Sequence, residues 1–165
     1  MAESYTLETA SAINMYVSDI AKKDQECFNV LLLNYHNTQK SLQGYRYLYL
    51  NLLTEKPKGI NGELVKDYWS NLEYVYYEDE LTRIHNNDYL EISNIEDIKA
   101  IMPKIYKKLK ISGAYAATFY TIEGLQNPIG MIVILYKERP KGRTNILTEI
   151  QRLAVLLDYK NLNRK

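Results

Sequence analysis

Apolar positions change their period several times along the chain, and each change marks an element. They begin at Leu7, Ala10, Ile13, Val17, Ile20 and Ala21, the spacing of one helix face. Ser4 or Thr6 can cap that helix, and the polar run KKDQE ends it. In CFNVLLLNYHN, Phe28, Val30 and Leu32 alternate with Leu31, Leu33 and Tyr35, so both sides are apolar. Such a strand belongs inside a covered sheet. YRYLYLNLLTE then alternates Tyr45, Tyr47 and Tyr49 with Arg46, Leu48 and Leu50. The polar connection with Gly44 predicts an antiparallel hairpin, and EKPKGINGE breaks the chain after it.

Residues 65–87 are less periodic. KDYWSNLEYVYY fits strand or helix, EDELTRIHNN predicts a short helix ended by paired Asn, and DYLEI is extended. Ser93 and Glu96 stand three apart as a capping box at the head of a helix whose stripe is Ile95, Ile98, Met102, Ile105 and Leu109. Pro103 predicts a kink or restart there, and Gly113 closes the helix. AYAATFYTIEG is a strand, and Gly124, Asn127 and Pro128 turn it into a second, strongly apolar one, IVILY. A last helix follows Thr144 or Asn145, with Ile146, Ile150, Leu153 and Leu157 on one stripe. The order is helix, two strands, a mixed region, helix, two strands, helix. That predicts an α+β domain spanning residues 1–165.

Composition narrows the chemistry. Lys plus Arg number 21 against 20 Asp plus Glu, a balance that offers no broad field for nucleic acid or an anionic membrane, and neither is expected as a partner. One cysteine, Cys27, excludes an internal disulfide framework and a multi-cysteine metal site. The N-terminus has no basic start or apolar core, which points to the cytoplasm rather than secretion. Tyr is abundant, 16 against 2 Phe and 1 Trp, beside many Asn, Lys and Ile, a bias of A/T-rich codons as in some bacterial and phage genomes.

Catalytic constellations are thin. His36 and His85 are the two histidines, and no GxSxG elbow accompanies them. His36 reads as a strand-end residue with a loop hydrogen bond, and His85 as a helix-end cation favoured by the dipole. The acids Glu73, Glu78, Asp79 and Glu80 lack EF-hand order and read as a solvated helix start. Neither KPKGING nor RPKGRTN has a Walker or GxGxxG order, although RPKGR, Arg139 to Arg143, can meet a phosphate or an acidic partner. These observations give no catalytic residue, no metal site and no cofactor.

Three segments carry a family likeness. ELTRIHNNDYLEISNIEDI, KLKISGAYAATFYTI, and NPIGMIVILYKE followed by TNILTEIQRLAVLL together resemble the middle and C-terminal part of a GAF domain, the regulatory fold related to PAS, over about residues 79–157. The resemblance implies a central antiparallel sheet with the N- and C-terminal helices on one face. It also implies a small-ligand side under the middle helices. It brings no activity: the cyclic-nucleotide signature is missing, Cys27 lies outside the ligand side used for a bilin, and methionine sulfoxide reduction would need more cysteines.

The function expected from these residues is non-enzymatic. The first expectation is a regulatory or protein-interaction module, a homodimer joined through Leu7, Ile13, Val17, Ile146, Ile150, Leu153 and Leu157. The second is a small-molecule sensor acting through a protein partner. In that case Tyr45, Tyr47 and Tyr49, with Tyr115 or Phe119 from a neighbouring strand, would stack on a planar ligand; otherwise those tyrosines are core. The third is a phage structural or assembly adaptor.

Overall fold

The computed structural model describes residues 5–41, 44–60 and 62–162, with side chains described for 5–36, 47–60 and 62–158. The strands are Cys27–Ser41 (β1), Gly44–Glu55 (β2), Leu72–Glu73 (β3), Tyr89–Ile92 (β4), Ala116–Glu123 (β5) and Pro128–Tyr136 (β6). They form one sheet in the order β3-β2-β1-β6-β5-β4, every neighbouring pair antiparallel. Helices Leu7–Lys23 (α1) and Leu147–Leu162 (α5) cover one face. Helices Lys66–Trp69 (α2), Tyr74–His85 (α3) and Pro103–Ile111 (α4), with a 3₁₀ turn Ile95–Ile98, cover the other.

The centre of the sheet dictates this two-sided cover. Leu31, Leu33 and Tyr35 of β1 and Met131, Val133 and Leu135 of β6 point into a core with Trp69, Leu81, Ile84, Ile105, Leu109 and Phe119. Val30 and Leu32, with Ile132, Ile134 and Tyr136, point the other way against Ile13, Val17, Ile20, Ile146, Leu153 and Leu157. Phe28 joins the first set rather than Val30 and Leu32, because the pairing with β6 slips between Cys27 and Asn29. β1 and β6 approach so closely that a Cβ on Gly130 would sit 2.3 Å from the Leu33 carbonyl oxygen. A glycine is required there.

Local chemistry explains the ends of the helices. Thr6 caps α1 by accepting the Thr9 N–H at 3.1 Å, and Asn145 accepts the Leu147 N–H at 3.2 Å at the head of α5. Lys58 reaches from the chain after β2 to the carbonyls of Ala21 and Asp24, placing a cation at the end of α1. The expected capping box does not form. Asn94 caps the 3₁₀ turn through Glu96 N–H, and Glu96 instead accepts the Tyr106 O–H at 2.7 Å. Pro103 restarts the helix rather than kinking it, and occupies its first turn. Gly113, at φ +80°, closes α4, the left-handed position that glycine occupies without strain.

The restart leaves amide donors at the head of α4, and they are satisfied from a different helix. Glu80 of α3, only 4% exposed, accepts Lys104 N–H at 3.1 Å and Ile105 N–H at 2.8 Å. It is therefore a cap rather than part of a solvated acidic cluster. Glu80→Ala would leave both donors buried and unmet, costing about 2 kcal/mol in urea denaturation, whereas Glu78→Ala on the exposed side of α3 should change stability by less than about 0.5 kcal/mol.

Candidate functional site

The sheet order decides what the predicted tyrosine site can be. β1 and β6 lie between β2 and β5, so Phe119 and Tyr115 do not neighbour the ladder of β2. Phe119 is fully buried in the core under the middle helices, while Tyr115, 44% exposed, sits before β5 and its hydroxyl accepts from Asn94 Nδ2 at 3.3 Å. Tyr49 stacks on His36, ring centres 5.7 Å apart. The side chain of Tyr45 lies outside the described residues. Of the four predicted ligand residues whose side chains are described, the structure brings only Tyr47 to a polar aromatic cluster.

That cluster is built on Tyr35. Tyr47 stacks on its ring at 4.7 Å and 12°, while Tyr74 of α3 meets it edge-on at 5.6 Å. The Tyr35 hydroxyl is 2.5 Å from His85 Nε2, and His85 Nδ1 is 3.0 Å from Thr121 Oγ1. Thr121 donates its one hydroxyl proton to the Asn87 carbonyl, at 3.2 Å. Its oxygen must therefore accept from Nδ1–H, which leaves Nε2 bare to accept the Tyr35 proton. His85 is neutral in this chain: burial pulls its pKa down to about 4. It is thus not the dipole-stabilised cation expected at a helix end. Burial, reinforced by Tyr74 and Tyr47, pushes the Tyr35 phenol far up, so it holds its proton.

His85 was visible in the sequence only as the last residue of a helix. Its partners Tyr35 and Thr121 lie on β1 and β5, and nothing local signals the meeting. His36 lies within β1 rather than at its end. Chemically, Tyr35, His85 and Thr121 make a neutral hydrogen-bonded clasp between two strands and the end of α3.

The space beneath α4 is occupied by protein. Trp69, Met102, Ile105, Leu109 and Phe119 are each no more than 2% exposed there, and Trp69 Nε1 donates to Ser112 Oγ at 2.8 Å. A cleft of about 460 Å³ opens beside it, between the end of α3, β4 and the 3₁₀ turn, lined by Leu90, Ile92, Ile98, Ile101 and Met102 with Arg83 and Asp97 at its polar margin. Cys27 is buried on the opposite face, its thiol pushed up to about 12, first by burial and then by Asp24. Among the described residues no three His, Cys, Asp or Glu side chains converge as a metal site requires. Nor, among them, is any helix long and apolar enough to cross a membrane.

The expected interface divides in two. Ile13, Val17, Ile146, Leu153 and Leu157 are at most 4% exposed, since the sheet takes up their stripe. They are core and cannot also be a docking surface, which corrects the sequence expectation. Ile150 is half-buried against the same core, and Leu7 is 84% exposed. Among the described residues, the outward apolar side chains of these helices are instead Leu7, Met15, Leu147 and Val155.

No protein-family profile and no curated relative matches the sequence. Solved structures do match. A GAF domain/HD domain protein from Geobacter sulfurreducens superposes with a TM-score of 0.67 at 8% identity, covering 94% of this chain and 95% of that one. The GAF3 domain of a Synechocystis sp. PCC6803 protein in its photoproduct state gives 0.60 at 13% identity over 94% of each chain. The blue-light absorbing form of the Thermosynechococcus elongatus PixJ GAF domain gives 0.58 at 11%, covering 94% of this chain and 83% of that one. With its sheet order, its terminal helices together on one face and its middle helices on the other, this chain has the GAF fold.

Proposed function

We propose that this chain is a non-enzymatic regulatory interaction module that pairs with a second copy through the outer surfaces of α1 and α5. The observation that carries this reading is the exposure of apolar side chains on two adjoining helices. Lys23 at the end of α1 meets Glu149 at the start of α5 at 2.8 Å, and Arg152 Nη1 donates to the Tyr16 hydroxyl at 3.3 Å, so the helices run antiparallel. Met15 adjoins Tyr16, and Val155 stands one turn beyond Arg152. Both therefore lie near one level of the pair, exposed by 51% and 69%. Leu7 and Leu147 extend the surface along the helices. A dimer face needs about 800 Å² per partner, within reach of two helices of this length. The light-absorbing GAF domains and the GAF/HD protein among the structural neighbours support the regulatory part of the reading.

A second reading, a small-molecule sensor acting through a partner, is favoured by the cleft beside β4. Its lining of Ile98, Ile101 and Met102 comes from the segment where the family likeness implies a ligand. Its size suits a small organic molecule.

Light scattering at two concentrations distinguishes the first reading. The chain is expected to be a dimer that Met15→Asp or Val155→Asp converts to a monomer with an unchanged far-UV circular dichroism spectrum, its melting temperature no longer rising with concentration; a strict monomer at both concentrations overturns it. Thermal-shift measurements with nucleotides, cyclic nucleotides and haem address the second, where stabilisation by one of them that is lost on Ile101→Asp is the supporting result.

In the first reading the Tyr35–His85–Thr121 clasp is a fastening of the frame. His85 titrates near 6.5 when unfolded and near 4 when folded, so between those values the unfolded chain binds the extra proton. Stability from the neutral clasp is fully present above pH 6.5 and lost as pH falls through 4. Urea denaturation should show a loss on the order of 3 kcal/mol across that window. His85→Ala should flatten this part of the pH profile.

A further inference from the structure

The segment between β6 and α5, residues 137–146, contains the basic run RPKGR and crosses the terminal-helix side of the sheet near β4. Register places the residues beneath it. Tyr89 and Glu91 of β4 pair with Tyr120 and Thr118 of β5, so all four share a face, opposite Leu90 and Phe119 in the other core. Under the crossing segment is a cleft of about 170 Å³, lined by Glu91, Ser93, Thr118, Arg139, Lys141 and Arg143 among others. It lies on the other side of β4 from the larger cleft, with which it shares Glu91, Ile92 and Ser93 at the sheet edge.

The segment is tied down at two points. Lys141 N–H donates to both carboxylate oxygens of Glu26, at 3.1 and 3.0 Å. Thr144 Oγ1 donates to Asp24 Oδ2 at 3.1 Å, and its carbonyl accepts the Tyr120 O–H at 3.3 Å. The Arg143 guanidinium rests 4.0 Å above the centre of the Tyr89 ring. Glu26 is engaged by the Lys141 backbone amide and makes no ion pair with the Lys141 ammonium. Among the described residues the ion pairs are Lys23–Glu149 and Lys110–Glu96, and none involves Arg139, Lys141 or Arg143. Thr118, 5% exposed, lines the cleft together with Ser93. Three cationic side chains against the single carboxylate of Glu91 leave a net charge of plus two on the lining, 3 − 1 = 2.

We propose that this cleft binds the phosphoryl group of a small phosphate monoester. A monoester near neutral pH is close to a dianion and so matches the charge of the lining. Two guanidinium forks suit its planar pairs of oxygens, and Thr118 and Ser93 supply neutral hydroxyls. The anchored backbone keeps Arg139 and Arg143 on one short segment before the ligand arrives, which lowers the ordering cost of binding. The occupied cleft would link β4 to the chain leading into α5.

Calorimetric titration of the full chain with inorganic phosphate and with adenosine monophosphate, at ionic strength fixed with potassium chloride, tests the site. Saturable binding of both is expected, and the tighter ligand tells whether the group is taken alone or on a nucleoside. Arg139→Gln with Arg143→Gln should weaken binding at least tenfold, while Lys107→Gln on the exposed side of α4 should leave it unchanged. Lys141→Gln keeps the backbone bond to Glu26 and should weaken binding severalfold, which preserves the test if the double variant folds poorly. No saturable binding, or equal binding by the double variant and the parent chain, overturns the proposal.

Discussion

The rest of the structure depends on the pairing of β1 with β6, two strands apolar on both faces at the centre of the sheet. Such a pair cannot leave either face in water, since burying a large aliphatic side chain is worth about 2 kcal/mol and this pair carries many. Helices must therefore cover both sides. The chain supplies two at its ends for one face and three short ones from its middle for the other. Gly130 permits the close backbone approach, and neighbouring side chains along β1 alternate between the two cores. Packing changes on one face consequently bear on strands that also wall the other.

The two covers are held differently. The terminal helices are long, each cover their share of sheet with a continuous stripe, and meet each other through Lys23–Glu149 and Arg152–Tyr16. The middle helices are short, and polar side chains borrowed from other elements fasten them: Glu80 heads α4, Ser112 takes the Trp69 indole, and the Tyr35–His85–Thr121 clasp secures the end of α3. A short helix has little propensity to persist alone, so such tertiary bonds carry more of its stability. The cover made by the middle helices is thus pinned at separate points rather than zipped along its length.

Much of the architecture was legible in the sequence because it rests on period. The helix stripe after Leu7, the two hairpins, the restart at Pro103 and the closing helix all follow from spacing and breaker residues. What was not legible is which surface covers a stripe. Ile13, Val17 and Leu153 recur as an interface would, yet the sheet of the same chain buries them. Alternation in β2 likewise shows that Tyr47 and Tyr49 share a parity, but not that β1 and β6 separate them from Phe119. The polar contacts were the least visible part. Asn94 displaced Ser93 as a cap, and Glu80 and His85 found partners 24 to 50 residues away, for which no local pattern exists.

Cys27 has a practical consequence of its own. It is the single thiol of the chain, sealed where α1 gives way to β1, with Sγ donating to the Asp24 carbonyl and its ionisation suppressed. Alkylating reagents need the thiolate and access to it, so modification must wait for that corner to open. The native cysteine thus acts as an internal clock for local unfolding, and a reporter cysteine placed on an outer surface would be labelled long before it.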